Sequence, residues 1–336
     1  PMTAFKTIKG VPVKTVAGGQ PNAYPSPFEG ELFYDSDGAG AFKFVGAVAA
    51  GTWASGGNLN QVRGSNKGFG IQTAAISAGG AHENPGATSN STKTELYNGS
   101  SWTEVNDLNV GRQAFGSLGT ATAGFCAAGF ATANVAIVEN WNGTSWTEIA
   151  DINTARASVR GCGTTSAALL SGGYNPSPAL QIAVNELWNG TAWTEVNDLN
   201  TRRSGAGNAI NSPSTDSIIF GGYTQPPPNT ANAETWDGTS WTEVGNLNAA
   251  KDNMGGSGDA STSALCFGGR STIVNTEDWN GSSWTEVNNM ATGRGYMASG
   301  GTSSSAIISG GEAPGYTAAT EEWTVTNFTT KTFDTD

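Results

Sequence analysis

The sequence predicts an all-β fold, a six-bladed β-propeller with four antiparallel strands per blade, preceded by a short extended and hairpin N-terminal arm. Three observations predict it. A dodecapeptide recurs almost word for word, as "VENWNGTSWTEI" at 138–149, "NELWNGTAWTEV" at 185–196 and "TEDWNGSSWTEV" at 276–287. Its second tryptophan marks a register of Trp53, Trp102, Trp146, Trp193, Trp241 and Trp284, spaced by 49, 44, 47, 48 and 43 residues. The chain holds 47 Gly and only 13% charged residues, a composition of many turns between short strands rather than of long helices.

Each period contains the same parts in the same order. Six residues after the tryptophan comes an aliphatic side chain (Leu59, Leu108, Ile152, Leu199, Leu247, Met290), and ten after comes a cation: Arg63, Arg112, Arg156, Arg203, Lys251 and Arg294. A small-residue pair follows (Gly79-Gly80, Ala128-Gly129, Gly172-Gly173, Gly221-Gly222, Gly268-Gly269, Gly310-Gly311), preceded by strand-length apolar runs such as "SAALLS", "DSIIF" and "SAIIS". After a linker of changing length stands Glu-x-aromatic, at Glu95, Glu139, Glu186, Glu234, Glu277 and Glu321, and five residues past the aromatic the next register tryptophan. Four short strands fit each period, and six doublets predict six blades, with seven if the two end segments pair into another partial sheet.

Asn-Gly between two alternating apolar and polar runs predicts a tight hairpin, read here as a type I′ turn with the flanking aromatics as cross-strand neighbours. The same letters match the glycosylation acceptor pattern at Asn98, Asn142, Asn189 and Asn280. Asp237-Gly238 keeps the turn chemistry without the acceptor, so the backbone demand explains the recurrence better.

Two segments compete to close the ring. Residues 51–57, "GTWASGG", carry the outermost-strand signature ahead of the first complete blade, and residues 327–333, "NFTTKTF", also sit where an outer strand belongs. Residues 1–50 differ from the repeat and read as an attachment arm with a hairpin, leaving 51–336 as the propeller. "YDSDGAGAF" at 34–42 reads as the turn of that hairpin rather than as a calcium loop.

Twenty-eight acidic against sixteen basic residues give a net charge of -12, which disfavours nucleic acid and anionic membrane surfaces as partners. No apolar run reaches membrane-spanning length and the first residues lack the apolar centre of a secretory signal, so neither membrane insertion nor export is expected. Cys126, Cys162 and Cys266 fall among apolar or small residues and read as buried core thiols.

In a four-stranded blade the connection between the second and third strands emerges on the same face as the blade-to-blade linker. Here those connections contain 14, 9, 12, 11, 7 and 9 residues and share no wording, whereas the Asn-Gly turns make the other face uniform. His82, Phe130, Tyr174, Tyr223, Arg270 and Tyr316 lie at or near their starts and are the candidate ligand-binding residues, because aromatics and amides stack on and hydrogen-bond to sugars or peptide surfaces. The six recurring cations, with the register tryptophans, are assigned to structure: acids recur in step with them, which favours blade-to-blade ion pairs over an anion-holding ring. His82 is the only histidine, which leaves little for a metal site or a histidine-based triad. No catalytic residue, metal or cofactor is assigned, and the chain is not expected to be an enzyme.

The doublet followed at fixed spacing by an aromatic and a tryptophan resembles the kelch repeat over residues 51 to about 333. "FEGELFYDSDGAGAFKF" at 28–44, joined to "AGTWASGG" and the Trp-Thr-Glu repeats, resembles marine bacteriophage virion proteins, tail fibres and related appendages. That resemblance implies a structural virion protein, assembled in the host cytoplasm. Residues 1–50 would dock on other virion proteins, copies would form a homo-oligomer, and the propeller would meet a host cell-surface glycan or protein. The alternative is a cellular or surface kelch-repeat scaffold that binds a protein partner.

Overall fold

The computed structural model describes residues 7–8, 11–16, 32–35, 42–44, 51–82, 90–176, 180–225, 229–312, 314–325 and 332–333. The chain divides into two compact units, residues 1–51 with 325–336, and residues 52–324. Among the described residues no helix is long and apolar enough to cross a membrane.

The larger unit is a propeller of six four-stranded antiparallel sheets. Blade 1 comprises Lys67–Ile71, Ala74–Ala78, Thr94–Tyr97 and Trp102–Val105, and blade 2 Gly116–Thr120, Ala123–Ala127, Val138–Trp141 and Trp146–Ile149. Blade 3 comprises Arg160–Thr164, Ala167–Ser171, Asn185–Trp188 and Trp193–Val196, and blade 4 Gly207–Asn208, Ser217–Phe220, Ala233–Trp236 and Trp241–Val244. Blade 5 comprises Gly255–Ala260, Ser263–Phe267, Thr276–Trp279 and Trp284–Val287. Blade 6 takes Ala298–Gly301, Ser305–Ser309 and Thr320–Thr324 from the end of the chain and its outer strand, Thr52–Ser55, from the beginning. The six first strands touch one another in a closed circle, which makes them the wall of the axis.

Ring closure therefore falls to the earlier segment, with Trp53 opposite Trp323. Residues 332–333 pair instead with Phe42–Phe44 in the smaller unit, so the propeller ends before residue 325 rather than running to 336. The outer place in blade 6 is already taken. In the smaller unit the strands Thr7–Ile8, Val11–Val16, Leu32–Asp35, Phe42–Phe44 and Thr332–Phe333 form one five-stranded sheet in that order. The end segments do pair, but as this separate sheet, with a parallel step between Val11–Val16 and Leu32–Asp35. The expected hairpin is present as Leu32 opposite Phe44, while its turn at 36–41 and Phe328 lie outside the described residues.

The core sits between blades. One cluster joins Leu118 and Phe125 of blade 2 to Leu170, Trp188 and Trp193 of blade 3, and comparable clusters occupy other blade interfaces. The two aromatics of each outer hairpin are direct cross-strand partners, as with Trp141 and Trp146 or Trp236 and Trp241, at ring distances of 5.2 and 5.3 Å. Such pairs contribute about 0.2–1 kcal/mol each. Their indoles divide the labour. In blade 2 the first donates within its own blade, Trp141 Nε1 to the Ala121 carbonyl, and the second crosses to the preceding blade, Trp146 Nε1 to Thr94 Oγ1 at 3.1 Å; the second indole of blade 4, Trp241, makes no such bond.

The turn joining these strands differs from type I′. Four residues separate the paired aromatics, and only the glycine has positive φ, between 90° and 95° at Gly99, Gly143, Gly190, Gly238 and Gly281. The preceding Asn is selected for its side chain: Asn142 Oδ1 accepts the N–H groups of Thr144 and Ser145 at 2.9 and 2.8 Å. Asp237 does the same with Thr239 and Ser240.

Each recurring cation ties two blades. Its side chain pairs with the Glu of the blade it precedes: Arg63–Glu95, Arg112–Glu139, Arg156–Glu186, Arg203–Glu234, Lys251–Glu277 (2.8 Å) and Arg294–Glu321 (3.1 Å), all buried. Its backbone carbonyl accepts the second doublet N–H of the blade it follows, from Gly80 to Arg112, Gly129 to Arg156, Gly173 to Arg203, Gly222 to Lys251, Gly269 to Arg294 and Gly311 to Arg63. In four blades the Glu also accepts the backbone and side-chain N–H groups of the Asn three residues before the cation, as Glu186 does from Asn153 at 2.6 and 2.7 Å; Asn200 gives Glu234 its backbone N–H alone, and Ala291 does so to Glu321. Desolvation holds the Arg63, Arg156, Arg203 and Arg294 pKa values below the usual range despite these carboxylates.

The doublet shows why its second member is glycine in every copy. At Gly80, Gly129 and Gly222 φ is 93–107°, and a Cβ would lie 2.7–2.9 Å from the carbonyl oxygen of the incoming linker. The first member sits near φ 60° with more tolerance, and Ala128 occupies it in blade 2 at φ 62°.

Arg156→Met should destabilise the ring by about 3–5 kcal/mol, since it strands a buried carboxylate. Adding Glu186→Leu should recover part of that loss, as read by chemical denaturation of both variants. Trp53→Ala should lower stability by about 3 kcal/mol, a fall in Tm of roughly 6–12 °C at about 2–4 °C per kcal/mol. An unchanged melting curve would take closure away from residues 52–55.

Candidate functional site

The variable connections and the blade linkers share one face, and the backbone shows it. The residue after each doublet pairs with the residue after each clasp cation: Ala81 with Gly64, Phe130 with Gln113, Tyr174 with Ala157, Tyr223 with Ser204 and Glu312 with Gly295. In blade 5 the Arg270 N–H donates to the Asp252 carbonyl at 2.9 Å. Phe130, Tyr174, Tyr223 and Arg270 thus hold equivalent places in four consecutive blades. His82 lies one residue beyond that place, which Ala81 takes, and Tyr316 four beyond, where its ring covers Gly64. Among the described residues no ring contact joins Phe130, Tyr174 and Tyr223, so these aromatics form an arc of separate half-buried positions and not one stacked cluster.

Neighbouring loops are stitched together. Asn90 Nδ2 donates to the Ala131 carbonyl and Asn134 Nδ2 to the Tyr174 carbonyl, each at 2.7 Å, and so link blades 1, 2 and 3. Arg270 is half exposed, pairs with Asp252 at 2.7 Å and lies over the Tyr296 ring at 5.8 Å. Burial raises the Asp252 pKa despite that arginine, and raises Tyr296 and Tyr316 likewise. Between blades 3 and 4 the face opens into a groove of about 650 Å³, lined by Asn200, Thr201, Arg202, Thr224, Gln225 and Asn232 among others. Arg202 donates to the Gln225 carbonyl at 2.9 Å, and Gln225 Nε2 to the Tyr223 hydroxyl at 3.2 Å. The groove offers amides, hydroxyls and one guanidinium beside an aromatic ring, a lining suited to a polar ligand with an apolar face.

The clasp cations do not face the axis; their heads are buried against the carboxylates. Two residues further on, the chain turns into the left-handed region at every blade: Ser65, Ala114, Ser158, Gly205, Asn253 and Tyr296, with φ between 53° and 59°. These six line the mouth of the axial channel together with Lys67 and Arg160. Five backbone bonds run in one sense around it: Ala114 N–H to Ser65 O, Ser158 to Ala114, Gly205 to Ser158, Asn253 to Gly205 and Tyr296 to Asn253, at 2.6–3.1 Å. The left-handed turn aims each N–H sideways at the next blade, and the mouth is a collar of peptide groups.

Among the described residues no group of three or more His, Cys, Asp or Glu side chains is placed to hold a metal. The three cysteines are free and buried, and burial pushes their pKa values up, that of Cys266 to about 11.

No protein-family model matches the chain, and no curated protein does. The solved structure titled "Structure of YjhT" superposes with a TM-score of 0.67 at 13% identity, over 82% of this chain and 99% of that one. The likeness is one of fold, a β-propeller.

Sequence reasoning missed the groove residues and the two axial cations. The doubled Arg202-Arg203 was a signal for the first, since the repeat uses only one cation there. For the second, Lys67 and Arg160 stand four residues after their clasp cations, where the other blades have Gly116, Gly207, Gly255 and Ala298.

A left-handed non-glycine residue is strained by roughly 1 kcal/mol, and blade 4 already has glycine in the collar. Ala114→Gly should therefore leave the fold intact and change stability by no more than about 1 kcal/mol, with the sign upward, as thermal melts would register. A large loss would show that the Ala114 side chain is held by packing rather than merely tolerated.

Proposed function

We propose that this chain is a structural virion protein of a bacteriophage, of the tail-fibre or appendage type, whose propeller presents its variable loops to a host cell-surface glycan or protein. The observation that carries the reading is the inequality of the two faces. One face is set by capped hairpins of nearly constant sequence, and the other carries loops of six unrelated wordings on a stitched and clasped frame. Rigid frame with divergent loops is the arrangement by which scaffolds bind. Within that face the groove beside Tyr223 is the proposed contact, with Arg202, Gln225 and Asn232 supplying hydrogen bonds and the tyrosine a stacking surface for a saccharide. Residues 1–50 are proposed as the anchor to other virion proteins, in a homo-oligomeric assembly. The role is binding rather than catalysis.

Two measurements test it. Mass spectrometry of purified phage particles should find the chain, and its absence would remove the virion reading and favour a cellular scaffold. Tyr223→Ala and Tyr174→Ala should weaken attachment to host cells about ten-fold, as for loss of a stacking contact worth about 1.4 kcal/mol, with melting unchanged. Equal loss from Thr144→Ala and Thr191→Ala on the hairpin face would count against the loop face.

A further inference from the structure

The axis of the ring is narrowed at both ends and holds two positive side chains with no acid in its lining. At one end stands the peptide collar. At the other, the first hairpin of blade 4 departs from the repeat: residues 209–216 form an eight-residue connection where blades 1, 2, 3 and 5 use two. This strap reaches across the axis, Asn211 Nδ2 donating to the Gly70 carbonyl of the opposite blade at 3.1 Å while its N–H bonds Gly258 O at 2.9 Å.

Lys67 and Arg160 begin the first strands of blades 1 and 3 and line both cavities between collar and strap. Lys67 is 8% exposed, and its ammonium makes no hydrogen bond or ion pair to another side chain among the described residues. Arg160 donates through Nε to the Ala206 carbonyl and through one terminal nitrogen to the Met254 carbonyl at 3.3 Å, which leaves further N–H groups of the guanidinium free to serve a ligand. The remaining lining is mostly hydroxyl, amide and backbone, including Ser65, Ser158, Asn208 and Ser299, with Val159 and Ile210 as apolar wall, and contains no carboxylate. Burial, with Arg160 beside it, holds the Lys67 ammonium well below its ordinary pKa, and burial alone brings Arg160 down to about 10. Two like charges in a confined chamber are mutually destabilising, and an anion between them would reverse the sign of that interaction.

We infer that the axial chamber is a binding site for one free tetrahedral oxyanion of phosphate or sulfate size, held by Lys67 and Arg160 with hydroxyl and amide groups of the wall. The cavity at the collar measures about 40 Å³, a few times the roughly 10–15 Å³ that a single water requires. That volume suits a small ion and excludes a sugar ring. The ion would bridge blades whose first strands are not neighbours, so its binding should register as stability of the whole ring.

Thermal melting of the full chain in inorganic phosphate, sulfate or chloride at equal ionic strength tests the inference. At a concentration about a hundred-fold above Kd, phosphate or sulfate should raise Tm by roughly 5 °C or more over chloride. Lys67→Met and Arg160→Met should each fold and lose that rise; if Arg160→Met does not fold, Lys67→Met decides alone. Lys67→Arg, which keeps the charge, should retain at least part of it. The inference is overturned if wild-type Tm is the same in all three salts, or if Lys67→Met shows the same rise as wild type, which would locate the anion elsewhere. Neither result bears on attachment through the loop face.

Discussion

The structure depends on one residue position that holds two blades at once. At each clasp a cation gives its carbonyl to the glycine of the blade behind and its charged head to the buried glutamate of the blade ahead. A buried ion pair is a weak source of net stability, because desolvation consumes much of its attraction. Its value here is directional. A buried charge that must meet its carboxylate fixes the angle between linker and sheet in a way that apolar packing alone does not, and the same pairing at five arginines and Lys251 repeats one angle until the circle closes. The final step is made by the same chemistry as the others, since Gly311 donates to Arg63.

A frame fixed in this way lets the loops diverge without consequence for the ring. The hairpin face is held by Asn or Asp caps and the inter-blade cores by tryptophans, of which Trp146 donates its indole N–H to the preceding sheet. What remains variable is the length and wording of the second-to-third strand connections, and it is there that the groove and the arc of Phe130, Tyr174, Tyr223 and Arg270 lie. Blade 4 breaks the repeat on the opposite side with a strap that joins two facing blades, so the sixfold pattern of the sequence does not give a sixfold molecule.

Blade number, strand order and the pairing of aromatics were legible because the repeat writes them six times under the same steric demands. The doublet glycine is one such demand: a Cβ there would strike the linker carbonyl. The turn type was misread because Asn-Gly serves two geometries, one needing positive φ at both residues and one needing only the Asn side-chain oxygen. Asp237, a poorer left-handed residue but an equal acceptor, pointed to the second. The closing strand was ambiguous in sequence since residues 51–57 and 327–333 both satisfy the same spacing, and only strand pairing separates them. His82 and Tyr316 fell out of register with the other candidate residues because loop lengths vary. Lys67 and Arg160 escaped notice for the opposite reason to the clasps: each interrupts a run of small residues, and a search for recurrence passes over what occurs only once or twice.

The pairing of Thr52–Ser55 with Thr320–Thr324 also governs when the molecule can become whole. During synthesis the earliest-made strand of the wheel waits, edge unpaired, until the roughly 265 residues between Ser55 and Thr320 have left the ribosome. Five sheets can assemble one by one behind it, but the seam is sewn last and over the longest loop in the propeller, a slow step by contact order. Once sewn, neither neighbouring sheet can peel away without first reopening that seam, so the same long-range stitch that delays maturation lengthens the lifetime of the finished disc.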